Sequence, residues 1–176
     1  PEAVFWNLRQ LGGTLTLVTD QDALVEGLNT FAVAYRDELK AAMLNRLGLA
    51  STTPEADIEL VNSAFRALSE GGEALRWEPF FFDWFGGLAS EERAMAGPRA
   101  SHYGGEAFQA FSGLLKGRQM SRPERLEHAY FARPEPEELL YDEIEALWAP
   151  IAASDDWSAF NAKLETIDTA RQAWGL

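Results

Sequence analysis

The chain has 176 residues, 47% hydrophobic and 24% charged, which is enough for a sizeable core and sets one domain over 1–176 as the expectation. Its formal charge of −13 repels phosphate backbones, and no apolar run reaches the ~18 residues that span a bilayer, so neither nucleic acid nor membrane is an expected partner. With no cysteine, disulfides, thiolate metal sites and cysteine nucleophiles are excluded, and a reducing compartment fits.

Pro1 to Leu11 reads as a helix start. Pro is favoured at a first helical position, Glu2 complements the helix dipole, and Val4, Phe5, Leu8 and Leu11 share one face. Trp6 and Leu8 are expected to pack into the helices that follow, and Phe5, Asn7 and Arg9 to face the larger protein that a chain opening inside a helix is expected to continue. Gly12-Gly13 weakens or ends the helix, and Thr14 to Val18 reads as a resumed helix or a short strand. Thr19-Asp20-Gln21-Asp22 supplies caps for a long helix whose apolar period runs from Leu24 to Leu47, with Gly48 as its left-handed cap.

Thr53 as N-cap and Pro54 at the first position open the next helix, with Ile58, Val61, Phe65 and Leu68 inward and Gly71-Gly72 as the stop. Trp77 to Phe85 carries six aromatics in nine residues and follows no single period, so a short helix from Pro79 burying rings on several sides is expected. Residues 88–105 read as the loosest stretch, with turn signals at Gly97-Pro98 and Gly104-Gly105. A helix follows over 107–115 with Phe108, Phe111, Leu114 and Leu115 inward. Lys116, Arg118, Arg122, Arg125, His128 and Arg133 form a basic island, read as a solvated helix face paired with acidic neighbours. Leu139, Leu140, Ile144, Leu147 and Trp148 line a helix ending at Pro150, and Trp157, Phe160, Leu164, Ile167 and Trp174 mark the core side of the last one. The class is all-α, an irregular bundle of roughly seven helices.

The chemistry search returns no constellation. His102 and His128 have no partner at ligand spacing, and Asp20, Asp22 and Glu26 lack the glycine turn and final glutamate of a calcium loop. The paired glycines match no phosphate-binding loop, no G-x-S-x-G turn is present, and Asp83-Trp84-Phe85-Gly86 lacks the context of a kinase metal motif. Asp83 is expected to bond nearby backbone, and Glu137-Glu138 and Asp155-Asp156 suit helix starts.

Four stretches in order nevertheless carry a family likeness. Pro1 to Leu11, with its Trp6-Asn7-Leu8, resembles the P-x-x-A-x-W-N-L-x-R-L region of the selenoprotein O family, the kinase-like protein adenylyltransferases. Phe31 to Leu49, ending Asn45-Arg46-Leu47-Gly48-Leu49, resembles that family's long helix and its K/R-L-G-L end. Asp57 to Leu68 resembles the following D-x-x-L-V helix, and Phe80 to Gly87 the F-F-F-D-W-x-G-G of some members. Residues 1–87 carry the best match, and beyond 105 the likeness is limited to a helix pair around Tyr130 to Ile167.

The resemblance implies a kinase-like parent that transfers AMP from ATP to Ser, Thr or Tyr hydroxyls of protein substrates, with Mg²⁺ or Mn²⁺. It implies that this chain is the C-terminal helical part, that its first partner is the N-terminal kinase-like portion, and that the location is cytoplasmic, a bacterial cytosol. The family's lysine, acid, catalytic loop and metal-binding aspartate lie upstream of such a segment, so no catalytic, cofactor-binding or metal residue is assigned here. Many members also carry a cysteine or selenocysteine near the C-terminus, whereas this chain ends Gln172-Ala173-Trp174-Gly175-Leu176. The alternative reading is a self-standing acidic interaction module that offers the aromatics of 77–85 as an exposed anchor.

Overall fold

A computed structural model describes residues 1–176, and it is all-α: eight helices, several one-turn 3-10 helices and no strand. The helices are α1 (Glu2–Leu15), α2 (Gln21–Leu47), α3 (Pro54–Gly71), α4 (Trp77–Asp83), α5 (Glu91–Ala96), α6 (Glu106–Leu115), α7 (Tyr141–Ser154) and α8 (Ser158–Trp174). The chain divides into two compact units, Pro1–Met43 and Leu44–Leu176, and the boundary falls inside α2.

In the first unit, α1 runs through Gly12-Gly13 to Leu15 instead of ending there. Each glycine weakens a helix by only about 1 kcal/mol. The Thr14 and Thr16 hydroxyls donate back to the Leu11 and Gly13 carbonyls at 2.7 and 2.8 Å. Phe5 stacks on Phe31 of α2 at 5.5 Å, and Phe31 meets Tyr35 at 5.7 Å. Phe5, expected to face outward, is therefore the ring that packs, whereas Trp6, expected inward, is 59% exposed. Asp20 caps α2, its carboxylate accepting from the Ala23 N–H at 3.1 Å.

The second unit is organised around α4. The Leu47–Gly48 helix end forms as expected, with Gly48 at φ +66°, and a Cβ there would stand 2.8 Å from the Phe85 ring. Leu49 bridges to Met120, and the Ala50 N–H donates to the Gln119 carbonyl at 2.9 Å, tying the helix end to the chain after α6. Phe80, Phe81, Phe82, Trp84 and Phe85 are all buried. They radiate in different directions: Phe80 onto Phe111, Phe82 onto Tyr130 and Phe131, Trp84 onto Tyr103 and Phe108, and Phe85 flat on Phe131 at 4.4 Å and edge-on to Trp174. A short helix at the centre of a core needs apolar side chains all round, which is why the stretch has no period. Burial of five of its six rings, all but the exposed Trp77, overturns the reading of 77–85 as an exposed anchor.

Four expectations are corrected. Thr53 and Pro54 open α3 as read, but its buried residues are Asp57, Leu60, Val61, Ser63, Ala64 and Ala67. The stripe is rotated because α3 packs on α6 with its small residues, which allow close approach, while Phe65 leans on Trp77 at 5.8 Å. The stretch 88–105 is ordered into 3-10 turns at Gly87–Ser90 and Ala100–His102 around α5, with Ser90, Ala94, Arg99 and Tyr103 buried. α7 buries nothing and passes through Pro150; the carbonyl that proline leaves unbonded belongs to exposed Ala146. On α8 the buried residues are Lys163, Ala170, Ala173 and Trp174, while Trp157, Leu164 and Ile167 face solvent.

Candidate functional site

The densest polar centre lies beneath the aromatic hub, where α4 ends. Asp83 is 4% exposed, and Arg99 reaches it from the turn after α5 as a two-pronged fork, Nε to Oδ2 and Nη2 to Oδ1, both 2.8 Å. The Tyr103 hydroxyl donates to Oδ2, and Arg99 Nη1 donates to Glu135 at 2.5 Å. Burial would lower the Arg99 pKa, but the two carboxylates outweigh it and raise it. Burial and the adjacent carboxylate raise that of Tyr103. The carboxylate expected to bond local backbone instead holds Arg99 and Tyr103, and through Arg99 the cluster joins a third segment at Glu135. With the carboxylate oxygens held by a guanidinium and a phenol, the hydrogen bonds of Asp83 are those of a brace. Arg93 extends the brace, donating to the Phe82 and Asp83 carbonyls at 2.6 and 3.2 Å while lying over the Phe82 ring.

A second buried pair ties α3 to the segment after α6. Asp57 accepts from Ser51 Oγ at 2.5 Å, from Thr52 N–H and Oγ1, and from Arg118 Nη1. Arg118 also donates to the Ala56 carbonyl at 2.6 Å. Burial alone would raise the Asp57 pKa; the hydrogen bonds from Ser51, Arg118 and Thr52 outweigh it and hold it at about 2. The third is Lys163 on α8, which donates to Glu137, to the Glu138 carbonyl at 2.7 Å and to Glu143 at 2.5 Å. Burial would lower the Lys163 pKa, and the two carboxylates raise it.

These contacts dissolve the basic island. Residues Pro123–Glu127 and Ala129–Ala132 are 3-10 turns, not an α-helix face. Arg118 is buried on Asp57, Arg125 donates to the Trp174 carbonyl at 2.6 Å, and Arg133 pairs with Glu137 at 3.0 Å. The histidines stay apart: His128 Nδ1 accepts from the Tyr130 N–H at 3.1 Å, and His102 lies in a shallow depression with Glu70 and Gly105. Asp20 caps a helix, and the Asp156 carboxylate, two residues before the start of α8, accepts from the Ser158 N–H at 2.9 Å. No group of three or more carboxylate or imidazole side chains converges where it could hold a metal ion.

Sequence reasoning missed Arg99 and Lys163, and placed Arg118 on a solvated face instead of against Asp57. A signal existed for two of the three centres: Asp57 lies on the helical stripe of Leu60, Val61, Ala64 and Ala67, and Lys163 on that of Ala170 and Trp174. A charge on an apolar stripe calls for a buried counter-charge.

Comparison with known proteins places these features in a family. Residues 1–168 match the family model described as protein adenylyltransferase SelO. A stretch of 72 residues, 41% of this chain, is 38% identical to the protein nucleotidyltransferase YdiU of Chromohalobacter salexigens. That stretch spans only 14% of the relative's length. No solved structure matches. With all but the last eight residues inside the matched region, the chain belongs to the SelO protein adenylyltransferase family.

Proposed function

We propose that residues 1–176 form the C-terminal helical portion of a SelO-type enzyme that transfers AMP from ATP to Ser, Thr or Tyr hydroxyls of proteins, and that this portion is structural support and not the catalytic centre. The family match over residues 1–168 carries the reading, and the small share of the YdiU relative that is covered supports it. ATP and Mg²⁺ or Mn²⁺ belong to the kinase-like portion of the parent, where nucleotidyl transfer relies on positioning and on charge neutralisation around the phosphates. The buried carboxylates here are engaged by Arg99, Arg118 and Lys163, which suits a rigid support.

The first unit supports the same reading. α1 buries none of its residues, and Val4, Trp6, Leu11, Leu17 and Val18 remain exposed. Two helices with so little burial gain stability from a larger body packed on them. The parent's kinase-like portion is the proposed cover.

The test is AMP transfer. The 176-residue chain incubated with labelled ATP, Mg²⁺ or Mn²⁺ and a generic protein acceptor yields no labelled product, whereas the longer protein carrying it labels the acceptor. Labelling by the chain alone overturns the support role. A longer reading frame without a kinase-like glycine-rich loop, lysine and metal-binding aspartate overturns the enzyme reading.

A further inference from the structure

The α7–α8 hairpin carries a surface that the support role leaves unused. Trp148 is 58% exposed, Tyr141 is 83% exposed and Ile144 is exposed beside them. At 100° per residue these three fall within one narrow face of α7, while Glu143, on the opposite side, pairs with Lys163 of α8. Trp157, just before α8, and Leu164 of α8 are exposed as well. A large aromatic with aliphatic neighbours in water is the composition of a binding hot spot.

Charge says what fits there. Residues 134–176 hold ten of the chain's 28 carboxylates but only two of its 15 lysines and arginines. Both cations are already paired, Lys163 with Glu137 and Glu143, and Arg171 with Asp168. Asp142 and Glu145 border the α7 face on the side away from Glu143, and Glu165 and Asp168 border Leu164 on α8; all four are exposed. An apolar stripe rimmed by Asp142, Glu145 and Glu165, none of them in an ion pair, complements a helix with one apolar face and a lysine- and arginine-rich remainder. A second copy of this acidic hairpin meets like charge instead.

We infer that the α7–α8 hairpin is a docking surface for a basic amphipathic helix of a partner protein. Trp148 and Ile144 anchor the apolar face of that helix, and the flanking carboxylates steer its cations and set its register.

The experiment uses the 176-residue chain and a fluorescein-labelled synthetic helix of about 18 residues, five turns long, with leucines on one face and lysines and arginines elsewhere. A second peptide of identical composition scatters the leucines around the helix. Anisotropy titration shows saturable binding of the first that weakens as salt rises, and binding weaker by about tenfold or more for the second. Trp148→Ala weakens the first complex by about tenfold or more, with an unchanged melting temperature because the side chain is exposed. Equal binding of the two peptides, or binding indifferent to Trp148→Ala, overturns the proposal by reducing it to bulk charge. Sedimentation that shows a dimer dispersed by Trp148→Ala overturns it in favour of a second copy. Binding lost when these residues stand in the longer parent overturns it in favour of cover by the parent itself.

Discussion

Removing the Arg118 guanidinium tests the reasoning about buried charge most directly. Asp57 is fully buried and Arg118 is its one cationic partner, with a side chain 7% exposed. Arg118→Ala leaves the carboxylate in place with only Ser51 and Thr52 as donors. Stripping one partner from a buried pair costs about 3–5 kcal/mol, and the remaining donors put this case near the lower end, about 3 kcal/mol. The pH dependence supplies a second magnitude. Folding lowers the Asp57 pKa from 3.8 to about 2, which corresponds to roughly 2 kcal/mol of native-state stabilisation. Because the folded value lies below the unfolded one, that contribution is complete above about pH 4 and is lost as pH falls through about 2.

Urea unfolding followed by tryptophan fluorescence at pH 7, 4, 3 and 2.5 measures both effects. Asp57→Asn serves as the reference, since every other carboxylate titrates alike in the two chains. The stability difference between native chain and Asp57→Asn shrinks on acidification within that window. A difference that stays flat from pH 7 to pH 2.5, or an Arg118→Ala loss under about 0.5 kcal/mol, within the range of an ordinary surface substitution, refutes the account.

Gly48→Ala places a Cβ 2.8 Å from the Phe85 ring at φ +66°, so it lowers the thermal midpoint by several degrees, a loss of about 2 kcal/mol or more. Gly13→Ala does the opposite: a Cβ there meets nothing within 4 Å inside a helix, so it raises the helicity of α1 and its stability by about 0.5–1 kcal/mol, read by circular dichroism. Lys163→Met removes the cation shared by Glu137 and Glu143 and speeds amide exchange in the 134–140 segment. The native chain also loses the Lys163 contribution in alkali, since a folded pKa above the usual 10.5 gives stability that is full below that value and is lost as pH rises through the folded one; Lys163→Met does not show this loss.

Helix ends were legible from residues alone because their chemistry is local. Thr53 accepts from the Ala56 N–H, Gly48 takes the left-handed cap and Asp20 opens α2, each using atoms within four residues. The all-α class followed from apolar period, and the aromatic centre from the density of rings in Trp77 to Phe85. The family was legible for the same reason, in short stretches such as Trp6-Asn7-Leu8 and Asn45-Arg46-Leu47-Gly48-Leu49. What tertiary structure alone decided was which stripes are covered and which charges meet. An apolar stripe states that a face prefers burial, not that anything lies over it, so α7 and the Trp157–Leu164 side of α8 looked like core and face water. Asp83 with Arg99, and Asp57 with Arg118, join residues 16 and 61 positions apart. A guanidinium fork closes on a carboxylate only where packing has brought the two together and removed the water between them, and no local pattern in the chain encodes that meeting.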